Sequence, residues 1–281
     1  MNIKKNHKRN EKAGEQVVTS WDGVAAWYDG WMGQDGSRHH RELAIPTLID
    51  LLVPQADERI IDIGAGQGVL APHMAEAGAT YVGVDASSKL LRKARRHHGQ
   101  AGTTFVQGDA RRLASLVEVE QNSFAAAVFL LSIQDMSPLE SVLASASEVL
   151  VENGRLVILM THPCFRIPRQ SGWGWDEQRK LRYRRVDSYL TRLAVPMKSY
   201  KTKRPTPQGN ATTRSFHRPL QDYINGLSAC GFMIDQIKEV PAGELAGKKA
   251  NYRKANRLKA AKRAKTEIPL FLGIRAIKIT K

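Results

Sequence analysis

Two kinds of apolar pattern alternate along the chain. Short runs with β-type spacing occur at "RIIDIG" (59–64), "TYVGVD" (80–85), "TTFVQGD" (103–109), "FAAAVFLLS" (124–132) and "RLVILMTH" (155–162). Between them lie segments with helical spacing, from about Gly68 to Ala77, "SSKLLRKARRHH" (87–98) and "PLESVLASASEVL" (138–150). Strands that alternate with helices of about 10–15 residues predict βαβ units and a parallel sheet covered on both faces. Upstream, "RELAIPTLIDLLV" (41–53) reads as a helix, and "SWDGVAAWYDGWM" (20–32) as a short aromatic helix with Ser20 as its N-cap. Downstream come helix "RPLQDYINGLSAC", strand "FMIDQIKEV", a basic helix near 247–265 and strand "PLFLGIRAIKI".

Residues 163–218 interrupt the pattern. They are rich in Pro, Gly and Arg, and they show little periodicity. Loops of that length inside a compact domain are functional or disordered. Trp173, Trp175, Tyr183, Tyr189 and Tyr200 argue against plain disorder. The expected organisation is a basic tail with N-terminal cap helices over 1–54 and an α/β domain over 55–281. The latter carries a lid insertion at 163–218 and a basic helical insertion at 241–267.

Composition narrows the class. At 281 residues the chain is long enough for one large α/β domain, and no apolar run reaches the ~18–20 residues of a membrane span. The first sixteen residues are basic but lack the apolar centre of a secretory signal. Two cysteines, Cys164 and Cys230, cannot form a metal cluster alone, so no metal is expected. They read as reduced thiols in the cytoplasm. The net charge of +16 is unevenly placed: segments 1–12, 163–218 and 241–267 carry +4, +11 and +7, leaving −6 for the remainder. Basic appendages on a mildly acidic core predict attraction to an anionic partner.

The chemistry is concentrated in "RIIDIGAGQGVL", where Gly64, Gly66 and Gly68 follow a strand that contains Asp62. Glycines between a strand and a helix let a ligand approach the backbone, and the helix N-terminus favours negative charge. A P-loop is excluded because no Gly-Lys-Ser/Thr follows. The spacing is G-x-G-x-G rather than the G-x-G-x-x-G of dinucleotide binders. The second strand ends at Asp85, seventeen residues past Gly68, where a carboxylate can accept both hydroxyls of a ribose. The third ends in "VQGDA", which puts Asp109 beside the same cleft.

This series resembles the class I S-adenosylmethionine-dependent methyltransferase family, in its bacterial small-molecule branch. The resemblance is clear over about 55–162 and extends to 219–281. It implies a Rossmann-like fold with a seven-stranded, mostly parallel sheet, an antiparallel last strand and helices on both faces. It also implies S-adenosyl-L-methionine as cofactor. Gly64, Ala65, Gly66 and Gly68 would wrap its methionine part, with Asp62 on the turn or the amino group. Asp85 with Ala86 would hold the ribose, and Asp109 with Ala110 the adenine. Leu131 and Ser132 would line the methyl-donor side. The long basic stretch between the last two strands departs from the short hairpin usual there.

Methyl transfer needs an aligned nucleophile, a dry pocket and sometimes a base. His162, at the exit of the fifth strand, and His217, in "SFHRPL", are candidates for that base. Cys164 has no partner motif that would make it a nucleophile. In related methyltransferases an N-terminal aromatic helix closes over the cofactor, which makes Tyr28 the candidate contact near the sulfonium, with His39 or His40 nearby. A small-molecule acceptor is the leading expectation. RNA is the alternative, gripped by the basic segments with their interleaved Trp and Tyr. Its usual signatures are missing: no Asn-Pro-Pro-Tyr or Asp-Pro-Pro-Tyr and no Pro-Cys pair follow the fourth strand. A non-catalytic cofactor-binding protein is the third reading. The sequence leaves the oligomeric state open.

Overall fold

The computed structural model describes residues 21–197, 213–243 and 255–279. A 3-10 turn (Trp21–Gly23) and helix α1 (Ala25–Met32) precede a π-helical turn (His40–Ala44) that runs into α2 (Ile45–Leu52). The alternating unit is β1 (Arg59–Ile63), α3 (Ala71–Glu76), β2 (Thr80–Asp85), α4 (Ser88–His98), β3 (Thr103–Gln107), β4 (Phe124–Leu130), α5 (Leu139–Val149) and β5 (Leu150–Thr161). Then come β6 (Ser171–Asp176), β7 (Leu181–Val186), β8 (Leu193–Pro196), β9 (Arg214–His217), α6 (Leu220–Ala229), β10 (Phe232–Pro241), α7 (Ala255–Glu267) and β11 (Pro269–Lys278). Ser20, Tyr200 and the first part of the expected basic helix lie outside the described residues.

Seven strands form one sheet in the order β10-β11-β5-β4-β1-β2-β3. β1 pairs in parallel with β2 and β4, β2 with β3, and β4 with β5. β11 runs antiparallel to both β5 and β10. The period-2 alternation of each strand splits the core between the two faces. Ile61 and Ile63 of β1 join α5 and α6 through Val142, Leu143, Tyr223 and Leu227. Ile60 faces the other way and packs with Leu48, Leu51 and Leu52 of α2 and Met74 of α3. Pro46 sits in the first turn of α2, where its missing N–H costs nothing. Val53 closes that helix in a left-handed conformation, donating its N–H to Ile49 O at 2.8 Å.

Residues 163–218 depart from the expected unpatterned loop. Two antiparallel hairpins, β6–β7 and β8–β9, lie within them. Period 2 is present in "SGWGWD", where Trp173 and Trp175 alternate with glycines. The facing strand "LRYRRV" hides it, because Arg182 and Arg184 lay their side chains on an aromatic ring rather than in water. Arg182 and Arg184 sit 4.7 and 5.3 Å from the Trp173 ring centroid.

The basic helix is real over Ala255–Glu267. It rests on the narrow stripe its sequence offers, Ala261 and Ala264, both buried. Arg257 ion-pairs with Glu177 and lies 5.0 Å from the Trp175 ring, which joins α7 to the β6–β7 hairpin. β5 also begins earlier than expected, since Leu150 pairs with Phe124 before an irregular stretch in which Asn153 turns left-handed at φ 60°.

Gly68 fixes how closely helix and sheet approach below the glycine turn. Its φ is +75°, and a Cβ there would lie 2.6 Å from the Phe105 ring of β3. Left-handed backbone costs an alanine about 1–2 kcal/mol, and overpacking adds about 1–3 kcal/mol. Gly68→Ala is therefore expected to lower the unfolding free energy by about 2–5 kcal/mol in urea titrations. A loss below about 1 kcal/mol would contradict this packing.

Candidate active site

The carboxyl ends of the parallel strands open into one cavity of about 1250 Å³. In open α/β sheets ligands bind at this edge. The wall runs from Asp109 and Ala110 after β3, past Asp85 and Ala86 after β2, Gly64 and Gly66 after β1, and Leu131 and Ser132 after β4. It ends at Thr161 of β5 and Phe271 of β11. Five strand spacings separate β3 from β11, about 24 Å at ~4.8 Å each. Pockets for one small ligand occupy about 300–1,000 Å³, so this cavity has room for a second molecule.

Asp85 organises the floor. Its side chain is 8% exposed, and it accepts the Gly66 N–H on Oδ2 at 2.9 Å and the Ser87 N–H on Oδ1 at 2.7 Å. One carboxylate thus ties the turn after β1 to the N-terminus of α4. Burial raises its pKa, and the two backbone donors pull it back. Ser87 caps α4 by accepting the Leu90 N–H at 3.2 Å, and its own hydroxyl donates to Asp22 at 2.5 Å. Asp22 is how the N-terminal segment is fastened over the sheet.

The three glycines have three different reasons to be glycine. At Gly64 (φ +81°) a Cβ would meet Ser132 Cβ at 2.6 Å. Ser132 Oγ in turn donates to Ile63 O at 2.6 Å. Gly66 (φ +54°) faces open space, with only the Tyr28 ring edge at 4.0 Å. Gly68 faces Phe105 and lies on no cavity wall, so its expected place around a cofactor is corrected to helix–sheet packing.

Asp62 lies beneath this turn, on a small recess that it shares with Ala65, Gly66, Tyr28 and His40. Its Oδ2 accepts the Tyr81 hydroxyl at 2.7 Å, while its buried Oδ1 has no protein partner among the described residues. Burial pushes its pKa up to about 7, against the Tyr81 hydrogen bond. Asp109 reaches the wall with its carboxylate held by Arg111, through Nε at 2.9 Å and Nη2 at 2.7 Å. That pairing holds its pKa below the usual range.

Tyr28 of α1 stands over Gly66, packed edge-on to Trp21 with ring centroids 5.2 Å apart. Burial raises its pKa, helped by the charges of Asp135, Asp85 and Asp62, so the phenol stays neutral. His40 lines the same space, its Nδ1 2.8 Å from Ser37 Oγ. Burial pushes its pKa down to about 4, which keeps it uncharged too.

The two histidines expected as bases are placed elsewhere. His162 is buried with both ring nitrogens engaged: Nε2 lies 2.8 Å from Glu239 Oε1, and Nδ1 accepts the Cys164 N–H at 3.2 Å. That fixes the Nε2–H tautomer. His217 is buried with Nε2 on the Tyr189 carbonyl at 2.7 Å, anchoring the insertion. Neither reaches the cavity wall.

Asp135, in the 3-10 turn after β4, does reach the wall, beside His39, His40, Asp85 and Asp109. Burial pushes its pKa up to about 7, while a hydrogen bond from Ser215 and the charge of Arg218 oppose the rise. Its signal in the sequence was faint, an acid in "LLSIQDM" three residues past Ser132. Arg166 and Arg169, also on the wall, were read only as part of a basic segment.

A family model described as a methyltransferase domain matches residues 61–158, from β1 into β5. A ubiquinone biosynthesis O-methyltransferase of Paracidovorax citrulli is 33% identical over 125 residues, 44% of this chain and 45% of that protein. A demethylmenaquinone methyltransferase of Renibacterium salmoninarum is 28% identical over 161 residues, 55% of this chain and 63% of that one. The chain therefore spans 45% and 63% of these two relatives' lengths. In fold it resembles the crystal structure of an S-adenosylmethionine-dependent methyltransferase from Mesorhizobium loti. The TM-score is 0.64 and the identity 24%, over 87% of this chain and 100% of that one. Residues 61–158 thus carry a methyltransferase domain, and the fold is that of S-adenosylmethionine-dependent methyltransferases. The family-model match ends within β5, before the Ser171–His217 hairpins and α7.

Two buried acids with raised pKa values leave a thermodynamic signature. Between about pH 4 and 7 the folded protein holds protons on Asp62 and Asp135 that the unfolded chain, with pKa near 3.8, has released. The folded state then binds more protons, so these two groups make stability fall as pH rises through that window. The stability of the wild-type protein relative to the Asp62→Asn/Asp135→Asn variant should fall between pH 4 and 7. Parallel denaturation curves across that range would contradict the two shifts.

Proposed function

We propose that the protein is an S-adenosylmethionine-dependent methyltransferase that acts on a small-molecule acceptor. The observation that carries the reading is the cavity itself: one glycine-turn end lined by carboxylates, continuous with a second end built by the insertion. Three features fit the cofactor. Asp62 Oδ1 is a buried acceptor in need of a donor such as an ammonium group. The space above Gly66 is open. Asp85 and Asp109 stand one and two strands away, in reach of a ribose and an adenine. The names of the quinone-pathway relatives also support a small acceptor.

S-adenosylmethionine supplies an electrophilic methyl group on a sulfonium. The chain's own residues do the remaining work. Tyr28 and neutral His40 roof the glycine turn and keep water out, adding no positive charge beside a sulfonium. Asp85 fixes the backbone on which the donor rests. Asp135 lies where the β4 end meets Ser215 of β9, between the two halves of the cavity. There it accepts the proton of an acceptor hydroxyl or amine as the nucleophile attacks. Arg166, Pro168, Val195, Pro196 and Met197 of the insertion form the lid over the acceptor. The two thiols, which form no disulfide, support a cytoplasmic location.

RNA as acceptor finds less support. The Trp173 ring already has Arg166, Arg182 and Arg184 at 5.4, 4.7 and 5.3 Å from its centroid, contacts that a stacking base would have to displace.

Two measurements test this reading. Asp85→Ala should weaken S-adenosylhomocysteine binding by about 1–3 kcal/mol, the scale of an unpaired buried polar group. Unchanged affinity in calorimetry would sink the assignment. Turnover of a protic acceptor should rise with pH through about 7 as Asp135 ionises. Asp135→Asn should remove that rise while keeping cofactor affinity. A variant with an unaltered pH profile would exclude Asp135 as the base.

A further inference from the structure

The cavity is divided by charge. Its carboxylates are Asp85, at the end of β2, and Asp109 and Asp135, which follow β3 and β4. Its arginines at the other end, Arg166 and Arg169, follow β5 in the segment that leads into the insertion. Resting on the methyltransferase reading of this site, we infer that the acceptor carries an anionic group, a carboxylate or a phosphate, held by Arg166 and Arg169.

The hydrogen bonding around these arginines carries the inference. Arg166 donates from Nε to Pro269 O at 3.0 Å and from Nη2 to Ile268 O at 3.4 Å. Arg169 donates from Nη2 to Pro196 O at 3.5 Å. These carbonyls orient the guanidiniums and leave their charge uncompensated. Among the described residues neither arginine has a carboxylate within 4.0 Å, whereas Arg111, at the opposite end, is fully engaged by Asp109. Arg182 and Arg184 stand around the same Trp173 ring as Arg166 and add like charge. Burial and the Arg184 charge push the Arg166 pKa down to about 10, the response of a cation that lacks a counter-ion. A planar fork in a half-buried wall binds carboxylate or phosphate oxygens with charge-assisted bonds.

The cofactor does not meet this demand. Its methionine end belongs at β1, two strand spacings or about 10 Å from β5. Its sulfonium would also be repelled by two unpaired cations. The wall beside the arginines is apolar, formed by Pro168, Val195, Pro196, Leu270 and Phe271. The fitting acceptor is therefore a compact molecule with an apolar or aromatic body and one anionic end. That end anchors it and leaves its nucleophile pointing toward Asp135.

Calorimetry on the full chain saturated with S-adenosylhomocysteine tests this, with benzoate, phenyl phosphate and neutral benzamide as probes. At least one anion should bind about ten-fold or more tightly than benzamide, the scale of a charge-assisted hydrogen bond, and the preferred anion identifies the group. Arg169→Gln, an exposed change, should reduce that preference and Arg166→Gln should abolish it. Arg166→Lys should restore part of it. Affinity for S-adenosylhomocysteine should stay within about two-fold throughout. Equal binding of the three probes, no binding of either anion, or an anion preference that survives both glutamine variants would overturn the inference. So would an RNA oligonucleotide that binds through these arginines without competition from either anion. Failure of the wild-type chain to bind S-adenosylhomocysteine would refute the underlying methyltransferase reading instead.

Discussion

The Asp85 carboxylate holds together the part of the structure on which the rest depends. Buried at the end of β2, it bonds the N–H of Gly66 on one side and of Ser87 on the other. The first bond fixes a glycine turn whose left-handed φ angles have little intrinsic preference for one shape. The second sets the start of α4, where Ser87 reaches Asp22 and fastens the N-terminal segment above the cavity. Floor, helix and roof are thus referred to one side chain. The cost of burying its charge is visible in its raised pKa, and the backbone donors offset part of that cost.

A division of labour along the sheet follows from this anchor. Strands β1 to β4 and their turns make a carboxylate-lined half of the cavity. The family-model match covers this half and stops within β5. Hairpins β6–β7 and β8–β9, with α7 packed on the first through Arg257, Glu177 and Trp175, form a basic outer wall. Asp135 lies at the seam, hydrogen-bonded to Ser215 from the insertion side.

The sequence disclosed most where backbone geometry leaves a strong residue preference. Strand–helix alternation gave every strand of the central sheet. The Gly64, Gly66 and Asp85 spacing located the turn, because only certain residues tolerate those dihedrals and that close approach. It disclosed less where partners decide. His162 and His217 looked like bases because they follow strands at the correct edge, yet Glu239 and the Tyr189 carbonyl, distant in sequence, turn them inward. Gly68 shares its neighbours' pattern but answers to Phe105. Asp135 was illegible for the converse reason, since its raised pKa comes from burial by elements far along the chain. The hairpins were hidden because arginine reads as polar, while here its stem and guanidinium cover tryptophan.

The central claim is that one carboxylate-pinned turn, roofed by α1, receives the cofactor. Amide hydrogen exchange of the full chain, with and without saturating S-adenosylhomocysteine, tests it most directly. Exchange is expected to slow at Gly64–Gly66, at Asp85–Leu90 and across Ala25–Met32, with β10 unaffected. Unchanged exchange at the glycine turn and α1, or protection confined to the β6–β7 hairpin and α7, would contradict it.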